Sequence, residues 1–400
     1  MNILQICSKP PFPPKDGGAL AMNILTQGLL NAGHHVKVLT VNTSKHFVDL
    51  HTVDTAYKQK TNYEAVFIDT SIKPLKALLS LFSPRSYNIE RFFSVEFEQT
   101  LIRILKEETF DIVHLETLYV SPYVDTIRKY SSAKIVLRSQ NVEFHIWERL
   151  ATNTKNPLKK WYLKILAKRL RNYELSYLNK YDGIAAITAT DLETFKNLGC
   201  QIPLIHIPFG TDLSLYTTNP EAAEFPSIFH IGAMDWRPNE EGIKWLVNEV
   251  WPMVHLQDPE LKLHLAGRKM PDWLLNLNKT GVHIAGEVAD AQQFILSKSI
   301  MLVPLFSGGG MRVKIIEGMA LGKTIITTAV GAEGIDYTNE KDIIIANTKA
   351  EFVAAILKCT KNQDYSQTLG KNARLLMETK YDNKLITKKL SDFYSERITK

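Results

Sequence analysis

The chain has 400 residues, 45% hydrophobic, 22% charged and 10% aromatic. At ~100–200 residues per domain this is two globular domains or three, which excludes a disordered, collagenous or coiled-coil chain. Its net charge is +6, with the whole excess in residues 1–207, which suits an anionic partner on that half.

The first apolar run, Ile3–Cys7, reads as a buried strand that stops at Pro10-Pro11. It is too short for the core of a signal peptide, and no later stretch approaches the ~18 apolar residues of a spanning helix. Cys7, Cys200 and Cys359 are odd in number and far apart, which argues against a disulfide framework or a cysteine zinc site. A cytoplasmic protein is expected, peripheral on a membrane at most. Asp16-Gly17-Gly18 then opens a helix over Ala19–Asn31. Strands are predicted at Val36–Val41, Ala65–Ile68, Ile112–Leu115, Ile135–Leu137, Gly183–Ile187 and Leu204–Ile207. Helices are predicted at Glu90–Lys106, Leu158–Asn179 and Asp191–Leu198. Pro208 to Pro226 reads as a linker. Strands then resume at Ile228–Ile231, Leu261–Leu265, Val282–Ile284, Met301–Val303, Thr324–Thr327 and Ile343–Ile345. Strands alternating with helices predict an α/β chain of two doubly wound, Rossmann-like domains, 1–207 and 208–380. Ligands bind outside the carboxyl ends of such strands, so two domains face to face would make one deep cleft.

The richest segment is Met301–Gly334. A strand ends at Pro304, Gly308-Gly309-Gly310 follows, and a helix begins near Met311. Glycines let backbone amides approach a ligand, and a helix N-terminus favours an anion. Val313, Ile316 and Ala320 would face inward, with Lys314 and Glu317 neighbours on another face. A cation for a diphosphate and a carboxylate for ribose hydroxyls suit a nucleotide; a turn with a surface Lys–Glu pair is the plain alternative. His114 ends a predicted strand, either as an active-site group or as a hydrogen-bonded core histidine. From Lys155 to Lys180 eight Lys or Arg face one acid, Glu174. That helix could meet an anionic membrane or simply carry a solvated basic face. No nucleic-acid module and no metal-binding constellation is read.

The segment Glu317-Gly318-Met319-Ala320-Leu321-Gly322-Lys323-Thr324, with Gly331-Ala332-Glu333-Gly334 after it, resembles the donor site of the retaining glycosyltransferases of family 4, which have the GT-B fold. Asp16-Gly17-Gly18-Ala19, Asp111-Ile112-Val113-His114 and Arg138-Ser139-Gln140-Asn141-Val142-Glu143 resemble further segments of that family. Many members carry a glutamate where Gly309 stands, so this chain is a glycine-rich variant. The resemblance implies transfer of a sugar from a UDP- or GDP-sugar to a hydroxyl of a glycan or lipid-linked saccharide, in polysaccharide biosynthesis. It implies no cofactor, since the nucleotide sugar is a substrate, and no metal. Glu317 would hold the ribose. Lys314, with Arg312 and the amides of Gly309 and Gly310, would stabilise the leaving phosphate, and His114 would orient the sugar or acceptor. Gly232, Arg237, Arg268 and Val288 would border the donor; Gly17, Gly18, Arg138 and Asn141 would lie on the acceptor side. Residues 381–400 would form a helix returning to the first domain. A sugar-nucleotide epimerase of the same fold and a nonenzymatic sugar- or anion-binding protein are the alternatives.

Overall fold

The computed structural model describes residues 1–73, 80–308 and 310–399. The chain divides into two compact units, Met1–Gly210 with Asn383–Lys400, and Thr211–Asp382.

In the first unit the strands are β1 (Asn2–Cys7), β2 (His35–Thr43), β3 (Glu64–Ile68), β4 (Ile112–Glu116), β5 (Lys134–Ser139), β6 (Gly183–Ala186) and β7 (Leu204–His206). They form one parallel sheet in the order β3-β2-β1-β4-β5-β6-β7. Successive side chains of a strand point to opposite faces, and β1 feeds two cores accordingly. Leu4 and Ile6 join one with Val113, Leu115 and Phe97. Ile3 and Cys7 join the other with Met22, Leu25 and Leu29. Those three come from α1 (Gly17–Asn31). The C-terminal helix, Asn383–Phe393, packs on that same face through Ile386, Leu390 and Phe393.

The predicted helix Glu90–Lys106 is in fact two, Tyr87–Glu90 and α2 (Val95–Glu107). Tyr123 causes the break: its hydroxyl donates to the Phe92 carbonyl at 2.8 Å and accepts from the Ser94 amide at 3.0 Å. The phenol supplies the partners that a continuous helix would have supplied from its own backbone. Further on come α3 (Glu143–Asn153), α4 (Pro157–Tyr177) and α5 (Ala189–Asn197).

The second unit holds β8 (Ile228–Ile231), β9 (Leu263–Ala266), β10 (Val282–Gly286), β11 (Ile300–Val303), β12 (Thr324–Thr327) and β13 (Ile344–Ile345). This sheet is also parallel, ordered β10-β9-β8-β11-β12-β13. Helices α6 (Arg237–Trp245) and α7 (Val313–Ala320) follow β8 and β11. The strand order reverses between β8 and β11, and at such a reversal the two outgoing loops splay apart and leave a crevice at the carboxyl ends. In the first unit the same reversal falls between β1 and β4. Among the described residues no helix is long and apolar enough to cross a membrane.

Candidate functional site

The crevice of the second unit is bounded by the loop after β8 and by α7. Helix α7 buries Ile315, Ile316 and Met319. Ile316 and Ala320 face inward as expected, joined by Ile315 and Met319, while Val313 is only half-buried; Lys314 and Glu317 turn to the crevice. Lys314 Nζ donates to Asn239 Oδ1 at 2.7 Å and lies 3.4 Å from His230 Nε2. The other nitrogen of His230, Nδ1, lies 2.8 Å from the Leu302 carbonyl. A carbonyl can only accept, so Nδ1 carries the proton and Nε2 presents its lone pair to the ammonium. Burial and the adjoining Lys314 hold His230 well below the usual imidazole range, hence neutral. Burial, and then Arg312, push the Lys314 ammonium down to about 7, with Glu317 opposing. Gly232 makes the arrangement possible: a Cβ there would sit 2.4 Å from Lys314 Nζ and 2.8 Å from Asn239 Nδ2.

Glu317 lies one turn along from Lys314, and Tyr216 donates to its Oε1 at 3.3 Å. Burial raises the Glu317 carboxyl above its ordinary range, and Tyr216 and Lys314 offset part of that. Arg374 fixes Tyr216 by donating to its carbonyl at 2.8 Å and to that of Ala320, at the end of α7, at 2.6 Å.

The glycine-rich loop bends through left-handed backbone at Gly308 (φ 99°) and Gly310 (φ 80°), which favours glycine. Gly309, expected to offer an amide, lies outside the described residues. Among the described residues no side chain caps the N-terminus of α7, so its first amides keep their capacity for an anion. Arg312 differs from expectation. Its guanidinium is buried, donates to the Gly310 carbonyl at 2.6 Å, and lies 5.5 Å from the Trp236 ring centre. It braces the loop from beneath. Arg237 is 86% exposed and paired with Glu241, one turn along the helix surface, at 2.7 Å. Arg268 is exposed, and its carbonyl accepts from the Met234 amide at 2.9 Å. Val288 is half-buried just past the end of β10.

In the first unit His114 proves to be the core histidine. It is fully buried, with Nε2 3.3 Å from Glu116 Oε1 and Nδ1 2.5 Å from the Tyr394 hydroxyl. Arg138, expected on the acceptor side, is also buried. It donates to Glu116 Oε1 and to the Ala21 carbonyl of α1, each at 3.3 Å. Glu116 further accepts from Gln5 at 3.1 Å and from Gln140 at 3.3 Å. Burial alone would raise this carboxyl, but Arg138 foremost, then His114 and Gln140, bring it down to about 2. The cluster locks α1 and the C-terminal helix to the sheet. Gly18 and the 138–141 loop do come together, since a Cβ on Gly18 would lie 3.2 Å from Gln140 Oε1. Gly17 is exposed and Asn141 half-buried. The N-terminus of α1 is already occupied: Asp16 accepts from the Ala19 amide at 2.8 Å and pairs with Lys9 at 2.7 Å and His46 at 3.1 Å.

Several residues of these clusters carry no role in the sequence reading, Glu116, Gln5 and Arg374 among them. His230 reads only as part of a strand, Tyr216 only as linker and Tyr394 only as tail. Asn239 has the one available signal, its position in the Gly232–Asn239 loop after a strand.

Residues 225–362 match the family described as glycosyl transferases group 1. Across 96% of this chain and 97% of its relative, the sequence is 21% identical to an uncharacterized 44.6 kDa protein in the cps region of Klebsiella pneumoniae. Sucrose-phosphate synthase from Thermosynechococcus elongatus superposes with a TM-score of 0.69 at 16% identity, covering 99% of both chains. HepE from Anabaena, solved with UDP, superposes at 0.66 and 13% identity, covering 99% of this chain and 100% of that one. The fold is GT-B, and the resemblance to the group 1 type holds.

Proposed function

We propose that this chain is a glycosyltransferase that moves a sugar from a nucleoside-diphosphate sugar to a hydroxyl of a glycan or lipid-linked saccharide, with retention of anomeric configuration and without a metal ion. One observation carries the reading. Lys314 stands at the strand-order reversal of the second unit, over Gly232, beside an uncapped helix N-terminus and one turn before Glu317. All of these lie inside the stretch that matches group 1 glycosyl transferases. UDP in the HepE structure favours a uridine nucleotide, and the cps region of the Klebsiella relative favours surface polysaccharide as the product.

When the sugar departs, negative charge grows on the diphosphate. Donors already in place stabilise that charge without reorganising. Lys314 supplies the cation and the first amides of α7 supply N–H dipoles. Glu317, held by Tyr216, accepts from ribose hydroxyls. In the first unit the Gly17-Gly18 loop and Gln140-Asn141 are assigned to the acceptor. Gln140 hydrogen-bonds but does not titrate, so deprotonation of the attacking hydroxyl falls to the departing phosphate on the same face.

Thermal unfolding with UDP, GDP, ADP and their sugar conjugates tests the reading. A nucleotide at about 100 times its dissociation constant adds ~2.7 kcal/mol. One base is expected to raise the midpoint, and Glu317→Ala to abolish most of the rise. Folded wild type that responds to no nucleotide overturns the proposal. Turnover that EDTA stops overturns its metal-free part, and an inverted anomeric proton coupling in the product overturns retention.

A further inference from the structure

We infer that Trp236 is a positioning residue of the crevice in the second unit: its indole seats the glycine-rich loop at Gly308 and so fixes where the amides of that loop meet a diphosphate. The inference rests on reading this crevice as the donor site. Trp236 immediately precedes α6 in the loop after β8, and Gly308 lies in the loop after β11. Their contact therefore joins the two loops that splay apart at the strand-order reversal. A Cβ on Gly308 would lie 3.0 Å from Trp236 Cζ2 and 3.3 Å from Arg312 Nη2. The loop thus rests on the ring edge without room for a side chain, and the φ of 99° at Gly308 favours glycine as well. The Arg312 guanidinium, 5.5 Å from the ring centre, is attracted to the indole face while it donates to the Gly310 carbonyl at 2.6 Å.

Core packing does not account for an indole at this place. Trp236 is 38% exposed. It belongs neither to the buried core of the second unit nor to the half-buried side chains packed on it. The flanks of the loop have anchors of their own. Phe306 packs edge-on against Trp245 of α6, with ring centres 4.8 Å apart, and Ser307 Oγ donates to Glu241 Oε2 at 3.5 Å. Gly310 has Arg312. Between these anchors Gly308 meets the indole. The main chain of Trp236 serves the same crevice, since its carbonyl accepts from the Asn239 amide at 2.9 Å and Asn239 Oδ1 holds Lys314 at 2.7 Å. A substitution at Trp236 removes the ring and leaves the carbonyl, so the two tasks can be separated. Amides stabilise a growing charge best when they already stand in place, and a misplacement of about 1 Å can cost about a hundredfold in rate.

The test compares the full chain with its Trp236→Ala and Trp236→Phe variants by two readouts: amide hydrogen exchange of the free protein, and turnover of UDP-glucose measured as released UDP. Exchange over residues 307–313 should quicken in Trp236→Ala while the strands of the second unit keep their protection. Its kcat should fall about tenfold to a hundredfold with KM for the donor within about threefold, the pattern of an interaction made in the transition state alone. Trp236→Phe, which keeps a flat ring beside Arg312, should recover most of both losses. Gly308→Ala should cost less in the Trp236→Ala background than in wild type, because the ring its methyl would strike has gone. Unchanged loop exchange in Trp236→Ala overturns the inference, as does a phenylalanine variant no better than alanine or an equal cost of Gly308→Ala in both backgrounds. Loss of the folded state in both Trp236 variants overturns it too, by making the ring a core element. A wild type that leaves UDP-glucose intact counts against transfer from that donor, and the exchange comparison then decides the role of Trp236 by itself.

Discussion

Lys314→Met is expected to lower sugar transfer by roughly 10²–10³ in kcat, the usual cost of removing a preorganised donor to a developing oxyanion, while raising the thermal midpoint of the free protein. Both effects come from one cause. The Lys314 ammonium is held among His230, Asn239 and the Gly232 backbone, and burial brings its pKa to about 7. In the unfolded chain a lysine titrates near ~10.4. Between those values the unfolded state holds more protons than the folded one, so stability rises with pH through that window. Below about 7 the folded protein carries the full penalty of the buried charge. The gain from methionine should therefore be largest at pH 6 and shrink toward pH 10. Binding of a nucleotide sugar should run the other way. Its diphosphate diester keeps its charge throughout this range, and only the ammonium form of Lys314 attracts it. The dissociation constant should then rise about tenfold per pH unit above 7, and Lys314→Arg should flatten that slope. Gly232→Ala supplies a control. Its methyl would displace the ammonium from 2.4 Å, so affinity should fall as in Lys314→Met with no gain in stability. Calorimetric titration at pH 6, 7, 8 and 9 measures all of this. An affinity constant across that range would remove Lys314 from the phosphate site.

The strands were legible because parallel strands covered on both faces are nearly continuous apolar runs, and each predicted run lies on or beside an observed strand. Ile228–Ile231 and Thr324–Thr327 coincide with theirs. The glycine-rich loop and the Lys314–Glu317 spacing were legible too, since local backbone geometry places them. What stayed hidden is long-range. His114 looks like an active-site group because it lies toward the carboxyl end of a predicted strand, whereas β4 runs on to Glu116 and leaves it mid-strand. Its fate is set by Tyr394, which is 280 residues away in the chain. Arg312 reads as a ligand for the diphosphate and Arg138 as an acceptor-side group, and the structure turns both guanidinium groups onto carbonyls and a carboxylate of the scaffold. A sequence shows which groups can donate, while the packing decides to whom.

Glu116→Ala is the substitution expected to cost most in stability. The carboxylate accepts from Gln5, His114, Arg138 and Gln140 and is itself fully buried. Removing it strands the Arg138 guanidinium, 1% exposed, without a counter-charge. Breaking one side of a buried ion pair costs about 3–5 kcal/mol, a large share of the roughly 5–15 kcal/mol that holds a domain folded. Glu116→Ala, Arg138→Leu should recover part of the loss, because the orphaned charge goes with its partner. The pH dependence has a definite sign. The carboxyl titrates at about 2 in the folded protein against an ordinary 4.5, so its contribution is complete above the higher value. It is lost as pH falls toward the lower one, so the gap between wild type and the alanine variant should narrow from pH 7 to pH 3. Urea unfolding at pH 7, 4 and 3 reads this directly, and a Glu116→Ala midpoint equal to wild type at pH 7 would show that the cluster bears no weight. The second unit encloses a core of its own. The stabilisation by nucleotide should therefore persist in Glu116→Ala while the transition of the first unit moves down. The same carboxylate holds the sheet, α1 and, through His114, the C-terminal helix. Its loss thus tests whether the loops at Gly18 and Gln140 keep their shape without the network behind them: acceptor affinity should weaken in this variant while donor affinity does not.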